Sequence, residues 1–285
     1  MKTYPKTETI SEKVDWIAFT CPFYKDLSFP DFVSSEWKEI NPIAHFNKGK
    51  ENKQGIRVYW HTERPANGKH VILSGSTLQN FQGKEKELLT SIQEKGYKET
   101  RVDFCIDVQH SNINIKNATY HIEKKQVKTH AKQFPTWFNA AGSGYTQYIG
   151  KKTSETYCRI YDKASEMGTD YEWTRVEIVF NGDRCTPAVK TYLGGASCGA
   201  IIKTFVDFPN WRKWGKIMGS ATATIRVPPK QTNTREWLLG QVAKSLAREM
   251  ALDDDQDFYL TFLQKVREEY YALSEKGDIV TSVNF

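Results

Sequence analysis

The sequence predicts an α+β fold: a mainly antiparallel central sheet built from two ferredoxin- or RRM-like halves, with flanking helices and a C-terminal helical segment. Three observations predict it. Segments with period-two alternation recur as far as Phe180. Apolar stripes at helical spacing fall between them, as at Leu88, Leu89 and Ile92. After Pro228-Pro229 the composition changes to long helix-compatible stretches.

The elements follow in order. Residues 1–10 are largely polar, and Val14 to Thr20 reads as the opening strand. Pro22, Pro30 and Pro42 break the next stretch, where one short helix is expected over Asp31 to Trp37. Gly55 to Thr62 reads as a strand with Arg57, Tyr59 and His61 on one side and Val58 and Trp60 on the other. A turn over Arg64 to Lys69 leads to its partner, His70 to Ser74, ending at Gly75. Lys84 to Glu94 is predicted helical, with Gly96 at its C-terminus. A strand from Arg101 and a helix over Ile115 to Lys125 complete one ferredoxin-like unit.

Gly142 to Gly150 and Thr156 to Lys163 form a second expected hairpin, and Glu172 to Phe180 a further strand. Pro187 to Phe205 is Gly-rich but helix-compatible at both ends. Thr234 caps a predicted helix from Arg235 to Met250. Asp253-Asp254-Asp255 opens another, where carboxylates suit the helix dipole. The expected division is a body over 1–228, with halves at about 12–130 and 131–228, and a helical segment over 229–285.

Bulk properties narrow the class. The chain has 285 residues, enough for a substantial core. No apolar run approaches the roughly 20 residues of a bilayer span, and Met1 to Lys6 lacks the apolar core of a secretory signal. The five cysteines form neither zinc-like spacing nor a disulfide framework. These features point to the cytoplasm and to no membrane partner. A net charge of +6 favours polyanionic partners.

The chemistry concentrates on three strands. In Thr156 to Lys163, the residues Tyr157, Arg159, Tyr161 and Lys163 share a face. A tyrosine between two cations suits attack on a phosphodiester: the phenol is the nucleophile, Arg159 forks onto a non-bridging oxygen and Lys163 favours the phenolate. In Arg101 to Val108, the residues Arg101, Asp103, Cys105 and Asp107 oppose the wholly apolar Val102, Phe104, Ile106 and Val108. Trp173 to Phe180 repeats the division, with Arg175 and Glu177 on the polar side. If the strands share a sheet, Asp103, Asp107 and Glu177 converge near Tyr161. Three carboxylates without a histidine partner suit Mg²⁺ or Mn²⁺. The plainer reading is a salt-bridged strand in which Asp103 pairs with Arg101 or Arg175.

In its ordered motifs the chain resembles the rolling-circle replication initiators of the Rep_trans, or replication initiation factor, family of plasmids and phages. The matching pieces are Val14 to Phe19, Val71 to Gly75, Thr100 to Asp107, Arg159-Ile160-Tyr161-Asp162-Lys163, Arg175 to Ile178, and Trp237-Leu238-Leu239 with Gln241-Val242-Ala243. The resemblance implies that Tyr161 nicks one strand at a replication origin and leaves a 5′-phosphotyrosyl link and a free 3′-hydroxyl. It implies divalent-metal help from the acidic residues. It also implies origin DNA, single-stranded or cruciform-extruded, as substrate, a host helicase and polymerase as partners, and a homodimer. None of the six histidines forms the one-residue-spaced pair of the better-known nickases.

Arg101 and Arg175 are expected to meet DNA, as is the segment Trp211-Arg212-Lys213-Trp214-Gly215-Lys216, where aromatics and cations interleave. The alternative for that segment is a loop whose tryptophans plug the core while its cations stay wet. Origin choice is assigned to this segment and to the Arg235 to Lys244 stretch. Two other functions fit the same residues: a mobilisation relaxase with the same chemistry, and a non-catalytic single-strand binder using Tyr59 and Trp60.

Overall fold

The alternating segments assemble into one ten-stranded sheet, whose paired neighbours all run antiparallel. This computed structural model describes residues 8–43, 45–109, 111–138, 144–226, 243–252 and 257–275. The strands are β1 (Thr9–Cys21), β2 (Trp37–Glu39), β3 (Lys48–Asn52), β4 (Arg57–Trp60), β5 (Lys69–Leu73), β6 (Lys98–Gln109), β7 (Lys128–Thr129), β8 (Thr136–Phe138), β9 (Tyr145–Ile149), β10 (Thr156–Asp162), β11 (Trp173–Asn181) and β12 (Val206–Asp207). Spatial order in the large sheet is β2-β3-β4-β5-β1-β6-β11-β10-β9-β8, while β7 and β12 pair separately. The two expected halves are therefore one continuous sheet, joined where β6 pairs with β11.

The helices are α1 (Gly75–Gln79), α2 (Glu85–Glu94), α3 (Ile115–Glu123), α4 (Lys163–Met167), α5 (Cys185–Leu193), α6 (Cys198–Ile202) and α7 (Arg212–Met218). One sheet face supplies Ile17, Phe19, Val71, Val102, Phe104, Ile106, Ile160, Val176 and Ile178 to the main core. Leu88 and Leu89 of α2, Ile115 and Ala118 of α3, Val189 of α5, Ile201 of α6 and Trp214 of α7 pack against them. Burying these side chains drives assembly at about 25 cal/mol per Å² of apolar surface. The opposite face keeps the polar residues, because period-two alternation leaves them nowhere else to go.

Local departures have local causes. Residues 31–36 form turns and irregular backbone, not a helix: the Gln54 side chain accepts from the Ser34 amide and donates to the Phe32 carbonyl, and the Asn52 side-chain amide donates to the Ser34 carbonyl. Strands β2, β3, β7, β8 and β12 carry too few residues to show a period. Residues 208–211 form a turn and Arg212–Met218 the helix α7, so Trp211 precedes the helix and Trp214 lies inside it. By contact density the chain divides into Met1–Val227 and Pro228–Phe285. In the second unit, helices cover Ala243–Leu252 and Asp257–Glu275. The Thr234 cap, the residues from Arg235 to Val242, and Asp253 to Asp255 lie outside the described residues. Among the described residues no helix is long and apolar enough to cross a membrane.

Candidate active site

Strands β6, β11 and β10 lie side by side, so their polar faces merge. Arg159 stands opposite Glu177 and Tyr161 opposite Arg175 across the β10–β11 ladder. On the other side of β11, Glu177 faces Cys105 and Arg175 faces Asp107. Alternation then puts Asp103 and Asp107 diagonally about Glu177.

Tyr161 is the centre of this surface. Its hydroxyl donates to Glu177 Oε2 at 3.1 Å. The Arg159 guanidinium donates to the other carboxylate oxygen at 2.6 Å and lies 5.1 Å from the Tyr161 ring centroid. Lys163 Nζ stands 5.9 Å from the same centroid. The tyrosine is thus flanked by two cations, as the alternation predicted. Lys163, however, pairs with Glu166 at 2.7 Å, which offsets its charge. Burial, then the Glu177 charge, push the Tyr161 phenol well above its ordinary range, against the pull of Arg175 and Arg159. The resting residue is therefore a neutral phenol, and the expected pull of Lys163 toward the phenolate is offset by Glu166. Asp162 ends the strand by capping α4, accepting from the Ser165 amide at 3.1 Å.

The acidic residues separate into two groups. Asp103 takes a forked pair of bonds from Arg101, at 2.9 and 2.5 Å, as the salt-bridged reading anticipated. It also shares a hydrogen bond with fully buried Glu177. Burial pushes the Asp103 carboxyl up to about 8, with Arg101 opposing and Glu177 reinforcing. Asp107 belongs elsewhere. Arg175 grips it through Nε and Nη2 at 2.6 and 2.8 Å, and Lys13 reaches it at 3.1 Å. Its carboxyl is held below the usual range by these cations, which outweigh its burial.

Two expectations are therefore corrected. Asp107 does not join Asp103 and Glu177: the Arg175 fork and Lys13 hold it apart, and no three acidic side chains among the described residues stand close enough to share an ion. Arg175 does not present itself to DNA: it is 1% exposed and bound to Asp107 and, at 2.7 Å, to Asp15. Sequence reasoning missed Asp15, although it follows Val14 in a strand already assigned. Arg101 remains accessible at the rim, its guanidinium 4.5 Å from the Trp16 ring centroid.

Trp211 and Trp214 are also corrected. Both are buried, stacked on one another at 5.8 Å, and Trp214 packs edge-on against Phe208 at 4.8 Å. Neither can receive a base. Arg212 and Lys216 of the same helix are exposed and Lys213 is half-buried.

Among the described residues, no group of three or more acidic, histidine or cysteine side chains stands close enough to hold a metal ion. The Asp103–Glu177 pair offers the oxygen donors a hard cation takes, although the Arg101 fork and the Arg159 and Tyr161 bonds hold those oxygens and would have to yield to it. Arg101 and Arg159 already bring positive charge to the two carboxyls, and burial still keeps the Asp103 carboxyl raised to about 8. Asp107 does not fit.

The comparisons with known proteins bear on the family and the fold. Residues 97–265, more than half of the chain, match the family described as replication initiation factor. The chain belongs to that replication initiation factor family. Its fold is similar to the solved structure of the rolling circle replication initiator protein from Geobacillus stearothermophilus, with a TM-score of 0.57. The two are 19% identical, and the match covers 76% of this chain and 93% of that one. No curated protein matches the chain.

Proposed function

We propose that the protein nicks and rejoins one DNA strand at an origin, with Tyr161 as nucleophile, to start rolling-circle replication. The observation that carries the reading is the Tyr161 phenol. It lies on the polar face of the sheet between Arg159 and Lys163, hydrogen-bonded to a buried carboxylate.

In the forward step the phenol loses its proton along its bond to Glu177, and its oxygen bonds to the scissile phosphorus. The P–O3′ bond breaks, and the 3′ oxygen takes a proton from solvent. A 5′-phosphotyrosyl link and a 3′-hydroxyl result. Arg159 is half-exposed, with its Nε unpaired, so it can turn part of its fork to the phosphate. Asp103 and Glu177 would hold Mg²⁺ or Mn²⁺, which would act as Lewis acid on that phosphate. Because the link conserves the phosphodiester energy, rejoining needs no nucleotide. Origin DNA is the substrate of this chemistry; opening the duplex by supercoiling or a helicase, and extending the 3′-hydroxyl with a polymerase, would complete initiation.

The test is incubation with a single-stranded origin oligonucleotide and Mn²⁺ or Mg²⁺, followed by denaturing electrophoresis. A covalent protein–DNA species supports the reading. Tight binding without one would assign the protein to non-catalytic single-strand recognition instead.

A further inference from the structure

We propose that Asp15 and Asp107 form a brace that fixes the Arg175 guanidinium across the β10–β11 ladder from Tyr161, making Asp15 a positioning residue for the reaction at that phenol. The inference rests on the reading of Tyr161 as nucleophile.

The geometry begins with register. Arg175 is the direct cross-strand partner of Tyr161 and shares its sheet face. Asp107 binds Arg175 Nε and Nη2, and Asp15 binds Nη1 at 2.7 Å. All three guanidinium nitrogens are therefore committed. Lys13 braces the carboxylates in turn, 3.1 Å from Asp107 and 4.0 Å from Asp15. Asp15 reaches Arg175 because the β1–β6 register shifts between Val14 and Trp16, where Asp15 is the extra residue. Gly75 gives it room: a Cβ there would lie 2.8 Å from Asp15 Oδ1.

A buried ion network is a poor way to gain stability, since apolar side chains of similar volume do as well. Held so firmly, Arg175 cannot swing out to grip DNA. Asp107, Asp15 and Lys13 balance its charge, so what the brace supplies is a guanidinium fixed in position across the ladder from the reacting phenol. As the Tyr161 oxygen attacks phosphorus, negative charge spreads over the phenol and phosphate oxygens. A guanidinium already in place stabilises it without reorganisation.

The experiment is single-turnover adduct formation on the origin oligonucleotide with Mn²⁺, alongside oligonucleotide affinity and melting temperature. Wild type and Tyr161→Phe are run first; an adduct that persists in Tyr161→Phe removes the underlying reading, and this inference with it. Given that control, Asp15→Asn keeps the shape and loses the charge. The expected result is a rate lower by about tenfold or more, with affinity and melting unchanged. Gly75→Ala, which crowds Asp15 from outside the network, should show the same signature more weakly. An unchanged rate in both variants would overturn the inference. So would a loss of rate accompanied by matching losses of affinity and melting temperature, which would make the brace purely structural.

Discussion

The Tyr161 hydroxyl donates to Glu177, a carboxylate with no exposure to solvent that also receives the Arg159 guanidinium. The proposed catalytic role and a structural one therefore meet in one side chain. As a metal ligand alone, Glu177 would cost only activity when replaced by alanine. The structure predicts otherwise, because the substitution strands a guanidinium and a buried phenol. Breaking such a pair should cost about 3–5 kcal/mol. Urea denaturation of Glu177→Ala against wild type measures it, and a loss under about 1 kcal/mol would show that the pair is solvated like a surface one.

Asp103 makes stability depend on pH. Its folded value of about 8 lies above the roughly 3.9 of an unfolded aspartate. Between those values the folded chain holds a proton that the unfolded chain lacks, so the contribution is full below pH ~4 and is lost as pH rises through ~8. Glu177 and Asp107 are lowered and act oppositely, losing their contribution as pH falls through the carboxylate range. The Asp103-specific trend is isolated by subtracting the profile of Asp103→Asn. The difference should decline with rising pH across that window; a flat difference would contradict the assignment.

Metal dependence should divide the carboxylates. Chelation with EDTA is expected to stop nicking. Asp103→Asn should raise the Mn²⁺ concentration needed for half-maximal cleavage, whereas Asp107→Asn should leave that concentration unmoved. A titration of cleavage rate against Mn²⁺ for the three proteins decides, and equal shifts in both variants would reunite the acidic residues in one site.

Trp214 and its neighbours should separate folding from DNA contact. Trp214→Ala removes a core side chain and should cost about 3–5 kcal/mol, while Trp211→Phe should leave DNA affinity as it is. Each of Arg212→Ala and Lys216→Ala that removes a phosphate contact should flatten the slope of log affinity against log salt by roughly 0.7–0.9. Fluorescence anisotropy at several salt concentrations reads both effects. A loss of affinity in Trp211→Phe would restore a stacking role.

The sequence made the centre of the fold legible because β1, β6, β10 and β11 are long enough to display a full period. Val102, Phe104, Ile106 and Val108 announce their face without ambiguity. The same alternation put Tyr161, Arg159 and Glu177 on shared polar faces. It could not reveal who pairs with whom: Asp107 and Arg175 are matched by the β6–β11 register, a non-local quantity. Asp15 stayed hidden because a bulge displaces it from simple alternation. Trp211 and Trp214 misled because interleaved aromatics and cations look alike on a DNA surface and on an amphipathic helix edge. The joining of two halves into one sheet was likewise beyond any local pattern.

The most direct test of the account is the identity of the residue that carries DNA after cleavage. Protein is reacted with a single-stranded origin oligonucleotide and Mn²⁺, digested with protease, and the nucleotide-bearing peptide is sequenced by mass spectrometry, with Tyr161→Phe in parallel. The account predicts a 5′-phosphate on Tyr161, and no adduct in Tyr161→Phe although that variant still binds the oligonucleotide. An adduct on Tyr157, Tyr148 or Tyr145, or one that persists in Tyr161→Phe, would contradict it.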